Sequence, residues 1–352
     1  MAIDAAKLDD FSGQVVGDLA AAFSGVMVNI GQKLGLYRAM AGAGPLTSAA
    51  LAARAGLTER YVREWLNNQA AGGYVAYDAV EKTYLLPDEH ALVLAECESA
   101  AYMAQAFDAA TSIWKTVDRT VDAFRNGEGI GWHEHDNGVF CGIESFFRPG
   151  YRANLTSKWI PALDGVEKKL RIGATVADVG CGHGASTIVM AEAYPNSTFY
   201  GFDYHTASVE TARQRAQDTG MGHRVAFEVT DAQGYSPVGY DLICFMDCLH
   251  DLGDPVGAAR HARQALAPDG TVLLVEPFAG DAVEDNLNPV GRLYYALSTT
   301  LCTPNSLSQN GGDALGAQAG EARLTEVMRE AGFTRIRRIA ETAFNIVLEV
   351  RP

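Results

Sequence analysis

The chain has 352 residues, enough for two domains with separate cores. With 48% hydrophobic and 20% charged residues it has a globular composition, which excludes a disordered chain. Its net charge of −15 opposes binding to nucleic acid, whose backbone is held chiefly through clustered Lys and Arg.

No uninterrupted apolar run reaches the roughly 18–20 residues that a membrane span needs, so no membrane partner is expected. Asp4, Lys7, Asp9 and Asp10 argue against a signal peptide, and a cytoplasmic location is the default expectation. The six cysteines (Cys97, Cys141, Cys181, Cys244, Cys248 and Cys302) contain no Cys-x-x-Cys pair. They read as free thiols, and no metal site is expected.

Residues 10–40 read as a helical segment broken near Gly31 and Gly35. Val15, Val16, Leu19, Phe23, Val26, Met27 and Ile30 make it apolar nearly all round. Such a helix must be covered, either by its own domain or in a homodimer. Thr47 or Ser48 then caps a helix ending at Gly56, and Thr58 caps a second, Glu59 to Ala70, stopped by Gly72-Gly73. Tyr74–Tyr77 and Thr83–Leu86 form a hairpin, completing a winged helix-turn-helix. Its second helix offers Glu59, Arg60, Arg63 and Glu64, two charges of each sign. Residues 1–100 hold seven basic against twelve acidic side chains. That balance opposes a DNA-reading role and favours dimerisation or roofing of a cavity.

Residues 100–125 look helical. Residues 126–142 read as a Gly-rich loop with Trp132, His133, Glu134, His135 and Asp136, where His133 and His135 face solvent or substrate. Arg148-Pro149-Gly150 punctuates the entry to a second domain. The expected division is 1–125, helical and winged; 126–150, a linker loop; and 151–352, the larger domain. From residue 150 strands and helices alternate. Strands are expected at Val176–Gly180, Thr198–Asp203, Val225–Thr230, Asp241–Asp247 and Thr271–Glu276. Two more, Thr334–Glu341 and Phe344–Arg351, are too close for a crossover and must pair antiparallel.

Val176 to Ser186 is the most informative stretch. A strand ends in Gly180, Gly182 and Gly184, and a helix follows from Ser186. Glycines there permit a tight turn and close ligand approach, and the free N–H groups of the next helix attract anions. The Gly-x-Gly-x-Gly spacing behind Asp178 differs from the Gly-x-Gly-x-x-Gly of dinucleotide folds. It resembles the first motif of class I S-adenosylmethionine-dependent methyltransferases. Asp203 lies at the end of the second strand, and Asp231-Ala232 follows the third. In that family these positions bind ribose hydroxyls and the adenine amino group.

The resemblance implies an α/β fold, a Rossmann-like seven-stranded sheet with a C-terminal antiparallel hairpin, behind an α-rich winged domain. It also implies S-adenosyl-L-methionine as cofactor, held among Asp178, Gly180, Cys181, Gly182, Gly184, Asp203, Tyr204, Asp231, Ala232 and Asp247. After the fourth strand, Leu249-His250-Asp251-Leu252-Gly253-Asp254 resembles the Leu-His-Asp-Trp-x-Asp segment of winged-helix small-molecule O-methyltransferases, with Leu252 in place of tryptophan. There the histidine is the general base that deprotonates a phenol, a role that carries to His250. Glu276 and Glu321 match the carboxylates that hold it, with Asp251 beside it.

Phe146–Leu155 and Asn286–Tyr295 look like actinobacterial winged-helix methyltransferases whose substrates are not established. Tyr294, Tyr295 and Cys302-Thr303-Pro304-Asn305 would lie in an insertion covering a small-molecule acceptor pocket. N-, S- or C-methylation stays open, as does a cofactor-sensing transcription regulator with an inactive catalytic domain. Methylation of nucleic-acid bases is disfavoured, because no Asn/Asp-Pro-Pro-aromatic motif follows the fourth strand.

Overall fold

The computed structural model describes residues 3–352. Two compact units emerge, one of Met1–Trp114 and Asn137–Pro149, the other of Lys115–Asp136 and Gly150–Pro352. The boundary at Pro149–Gly150 lies within a residue of the expected one at 150, but the one at 125 differs, since residues 115–136 group with the second unit and 137–149 with the first.

In the first unit, helix Ala5–Lys33 starts at Asp4, whose carboxylate accepts from the N–H of Ala6 and Lys7. Only Val28, Asn29 and Gly31 of this helix are buried. Own-domain burial therefore does not cover its apolar surface: Val16 is 65% and Phe23 72% exposed. By length and composition this helix could also cross a membrane, which corrects the expectation that no segment qualifies. The expectation counted uninterrupted apolar runs, and Asp18 breaks the run without lowering the mean hydropathy enough.

The winged module forms as expected. Helix Ser48–Ala55 is capped by Thr47 and ended by Gly56 in a left-handed conformation. Helix Glu59–Ala71 follows, and then strands β1 (Ala76–Asp78) and β2 (Thr83–Leu85) pair antiparallel. Trp65, Leu66, Leu51, Tyr37 and Met40 fill its core. Residues 126–142 are only partly loop. A 3₁₀ turn covers Trp132–Glu134, and helix Asn137–Asn154 then continues through Pro149. The Arg-Pro-Gly triplet thus marks the boundary between the two units without ending the helix.

The second unit carries seven strands: β3 (Thr175–Val179), β4 (Thr198–Asp203), β5 (Val225–Val229), β6 (Tyr240–Met246), β7 (Leu266–Pro277), β8 (Arg335–Glu341) and β9 (Asn345–Arg351). Their order across the sheet is β5-β4-β3-β6-β7-β9-β8. β3 to β7 run parallel, whereas β9 is antiparallel to both β7 and β8. Central strands are apolar throughout, with Val272, Leu273, Leu274 and Val275 of β7 fully buried, as a sheet covered on both faces requires. Helices Pro255–Ala265 and Gly320–Glu330 cover one face with Ala258, Ala259, Ala262, Leu324, Val327 and Met328.

Chain order reverses at β3, which has β4 on one side and β6 on the other. Ligand sites of open α/β sheets form at the carboxyl ends of the strands flanking such a point. Val179 pairs in register with Phe245, so the segments leaving β3 and β6 emerge side by side.

Candidate active site

Three glycines leave β3, and each has a reason. Gly180 (φ 71°), Gly182 (φ 51°) and Gly184 (φ 74°) are all left-handed, a conformation costly for other residues. A Cβ on Gly180 would stand 2.7 Å from Cys248 Sγ, and one on Gly184 would stand 2.6 Å from the Phe227 ring. Nothing lies within 4 Å of the Cβ position of Gly182, so the loop is open there. Gly184 is the N-cap of helix Ala185–Ala193, whose first N–H groups face the loop.

Two carboxylates brace this loop. Asp178 is wholly buried and its Oδ2 accepts from Ser186 Oγ and Thr187 Oγ1, both at 2.6 Å. Burial pushes its pKa up to about 6, and its Oδ1 has no hydrogen-bond partner. Asp203, at the end of β4, accepts from Gly182 N at 2.9 Å and from His205 N at 2.9 Å. Burial raises its pKa too, and its carboxylate is half-buried at the loop. Buried Cys181 hydrogen-bonds through its N–H to Phe202 O. Asp231 is exposed and accepts from Gln233 N at 2.9 Å; Ala232 beside it is half-buried.

Tyr204 ties a further segment to this edge. Its hydroxyl accepts from the backbone of His133 and Trp132, and burial pushes it up to about 12. Trp132 N also donates to Asn305 Oδ1 at 3.0 Å, and Asn305 Nδ2 donates to Asp251 O at 3.2 Å. The loop of residues 130–135 therefore bridges the end of β4 and the segment after β6. Within it His135 is buried, and neither ring nitrogen has a hydrogen-bond partner.

The segment after β6 begins with strain. Asp247 has φ 52°, which a side-chain-bearing residue adopts at a cost. Tyr151 Oη donates to its Oδ2 at 2.6 Å and Asn345 Nδ2 to its Oδ1 at 2.8 Å. Burial raises its pKa well above the ordinary carboxylate value. Neither Tyr151 nor Asn345 was singled out from sequence, since they lie nearly 100 residues away on either side.

Three residues on stands His250, buried. Its Nδ1 lies 2.5 Å from Glu276 Oε2, at the end of β7, and Glu276 Oε1 accepts from Leu249 N at 2.8 Å. Glu276, itself 1% exposed, thereby fixes both the ring and the backbone that carries it. Asp251 Oδ1 lies 3.3 Å from the other ring nitrogen, Nε2. Burial alone would lower the His250 pKa, but the Asp251 and Glu276 carboxylates outweigh it and hold the value well above normal. Burial pushes the neighbouring Cys302 thiol up to about 12.

Glu321 is not part of this group. It pairs with Arg338 of the edge strand β8 (2.7 Å to Nε), so the expected contact with His250 does not form. Glu321 lies in the first turn of a helix that packs on the sheet, and both Nε and Nη2 of Arg338 hold its carboxylate there. Tyr294 is likewise turned inward, its hydroxyl donating to Phe344 O at 2.6 Å.

Two family models match the chain: a Rv2258c-like winged HTH domain over residues 22–96 and a methyltransferase domain over residues 170–332. The chain joins a winged helix-turn-helix domain to a class I methyltransferase domain. Among curated relatives, 27-O-demethylrifamycin SV methyltransferase of Amycolatopsis mediterranei is 32% identical over 131 residues, 35% of this chain and 48% of that protein. The chain thus spans about half the length of that relative, and the match falls short of a whole-protein likeness. Among solved structures, the mitomycin 7-O-methyltransferase MmcR superposes with a TM-score of 0.71 at 18% identity, covering 99% of this chain and 100% of the other. Human N-acetylserotonin methyltransferase in complex with SAM gives 0.69 at 18%, covering 97% of each. The winged methyltransferase architecture is therefore shared end to end with those two structures.

Proposed function

We propose that the protein transfers a methyl group from S-adenosyl-L-methionine to an oxygen of a small molecule, with His250 as the general base. The observation that carries this reading is the Glu276–His250 pair at the carboxyl end of the sheet, next to the glycine loop. The loop fits the cofactor: Gly182 leaves open space within 4 Å that a side chain would fill, and the left-handed Gly180 and Gly184 let the turn pack against Cys248 and Phe227 on either side of it. Gly180, Gly182 and Gly184 would hold its methionyl end, Asp203 and Tyr204 its ribose side, and Asp231-Ala232 its adenine. The cofactor supplies a methyl already activated on a sulfonium centre. What is left to the chain is alignment and removal of the acceptor proton.

His250 suits the second task. Glu276 orients the ring through Nδ1 and leaves Nε2 as the nitrogen that can accept the acceptor's proton. Once the proton is taken, Glu276 and Asp251 stabilise the imidazolium.

The winged domain supports dimerisation better than DNA reading. On its second helix Arg63 makes a paired bond to Glu59 (2.8 and 2.6 Å), and Arg60 pairs with Glu64. Both arginines are neutralised on their own helix. The exposed apolar side of helix Ala5–Lys33 suits a second copy of the chain. Six cysteines, none in a disulfide, fit a reducing compartment such as the cytoplasm.

The test is release of S-adenosylhomocysteine with a panel of phenols, catechols, amines and thiols, wild type beside His250→Ala. Loss of roughly two or more orders of magnitude with a phenol, at unchanged calorimetric affinity for the cofactor, is the expected outcome. Undiminished turnover in the variant would overturn the base role and move the chemistry to an acceptor that is already nucleophilic.

A further inference from the structure

Three atoms of metal-ligand type converge beside the outward nitrogen of His250. One ligand atom from each of His250, Asp251 and Cys302 lies within 4.8 Å of the other two, and His250 Nε2 stands 3.3 Å from Asp251 Oδ1. His250 and Cys302 are buried, and Asp251 Oδ1 is shielded from solvent and faces His250 Nε2 at 3.3 Å.

Their geometry is held from outside. Cys302 ends a π-helical turn, Ser298–Cys302, a conformation that recurs at functional sites. The helix that follows is stitched to the Asp251 segment: Gln309 Nε2 donates to Asp251 O at 2.9 Å and Ser306 Oγ to Leu252 O at 2.8 Å. On its far side His250 gives Nδ1 to Glu276, the outer carboxylate that metal-bound histidines almost always have.

We propose that His250, Asp251 and Cys302 bind one divalent cation of the zinc class, with a fourth coordination position left open. Zinc bonds of about 2.0–2.3 Å place tetrahedral ligands roughly 3.3–3.8 Å apart. The 3.3 Å between His250 Nε2 and Asp251 Oδ1 already meets this, and the thiol needs a contraction of about 1 Å. Nitrogen, oxygen and sulfur together select zinc or cobalt over magnesium or calcium. On binding, the Cys302 thiol and the Nε2 of protonated His250 release their protons to solvent, and the freed sulfur and nitrogen form the metal bonds; no oxidant is involved. The ion takes the same nitrogen that would accept the acceptor's proton, so metal binding and proton abstraction exclude each other. This inhibitory consequence rests on the base role of His250; the site itself does not.

Metal-free full-length protein is titrated with Co2+, followed by visible and near-ultraviolet absorption, and then with Zn2+. One equivalent of cobalt is expected to bind, giving intense four-coordinate d–d bands and a thiolate charge-transfer band that zinc abolishes. Cys302→Ser is expected to lose the charge-transfer band and roughly tenfold or more in affinity. Failure to bind one equivalent, or a charge-transfer band that persists in the variant, overturns the site. X-ray absorption of the zinc-loaded wild type needs no variant, and a coordination shell without sulfur overturns the site as well. Turnover separates the two readings. Zinc that binds with the expected signature and stops release of S-adenosylhomocysteine supports both; the same signature with undiminished turnover keeps the site and overturns the base role.

Discussion

At the scale of single residues, His250 is set by opposed effects. Burial disfavours the imidazolium, and the carboxylates of Asp251 and Glu276 favour it more strongly, so the folded pKa stands well above 6.5. A raised histidine pKa stabilises the fold fully below 6.5, and that contribution is lost as pH rises through the folded value. Catalysis runs the opposite way, because a base must be neutral before it accepts a proton. kcat/KM is therefore expected to climb with pH above 6.5, with its acid limb displaced upward from that of a free histidine. Replacing Asp251 by Asn removes the largest effect that raises the pKa, and the limb is expected to move to lower pH. A pH profile of kcat/KM for both proteins decides this; coincident limbs would remove Asp251 from the protonation of His250. Such coupling is only half legible in sequence. His250 and Asp251 stand in a recognisable segment, whereas Glu276 and Glu321 were equal candidates until the fold placed one at a strand end and the other beside Arg338.

At the scale of elements, the strand-glycine-helix unit was readable because its constraints are local. Left-handed turns demand glycine wherever the chain lies, and alternation of strands and helices sets the spacing. The strand limits of the sheet were accordingly anticipated to within a residue or two at most ends, β7 excepted. Residues 137–154 were not, because Pro149 and Gly150 read as a stop while the helix continues through them. Tertiary packing overrides a local breaker there, and Val139, Phe140 and Tyr151 are buried along it. The glycine unit also yields a separable prediction. Gly184→Ala meets two costs, a left-handed φ of 74° and a Phe227 carbon 2.6 Å from the new Cβ. Destabilisation of about 1–3 kcal/mol is expected, measured as a fall in the denaturant midpoint. Adding Phe227→Leu relieves the steric part alone, so the double variant should recover only partly relative to Phe227→Leu by itself. Full recovery would show that the φ cost is absent and that the glycine is there for space.

For the whole molecule, helix Ala5–Lys33 poses the question of what covers it. Leu8, Phe11, Val15, Leu19, Phe23, Val26 and Ile30 recur every three or four positions and are all more than a third exposed. From Leu8 to Ile30 this makes a stripe about 33 Å long. A stripe of that length exceeds what a monomer ordinarily leaves in water. Lipid is a poor match, because Asp4, Asp9, Asp10 and Asp18 would face an anionic membrane surface. A second copy matches by construction, since a two-fold axis sets the same stripe against itself and shields both. Light scattering is expected to give twice the 37.6 kDa mass of the chain. Leu19→Glu with Phe23→Glu would bring carboxylates of both copies into that contact, and the mass should fall to that of one chain at micromolar concentration. The winged module and the sheet have cores of their own, so circular dichroism of the variant should stay that of the wild type. A wild type that scatters as a single chain would overturn the dimer. Co-sedimentation of that monomer with anionic vesicles would then identify lipid as the cover, against the charge argument.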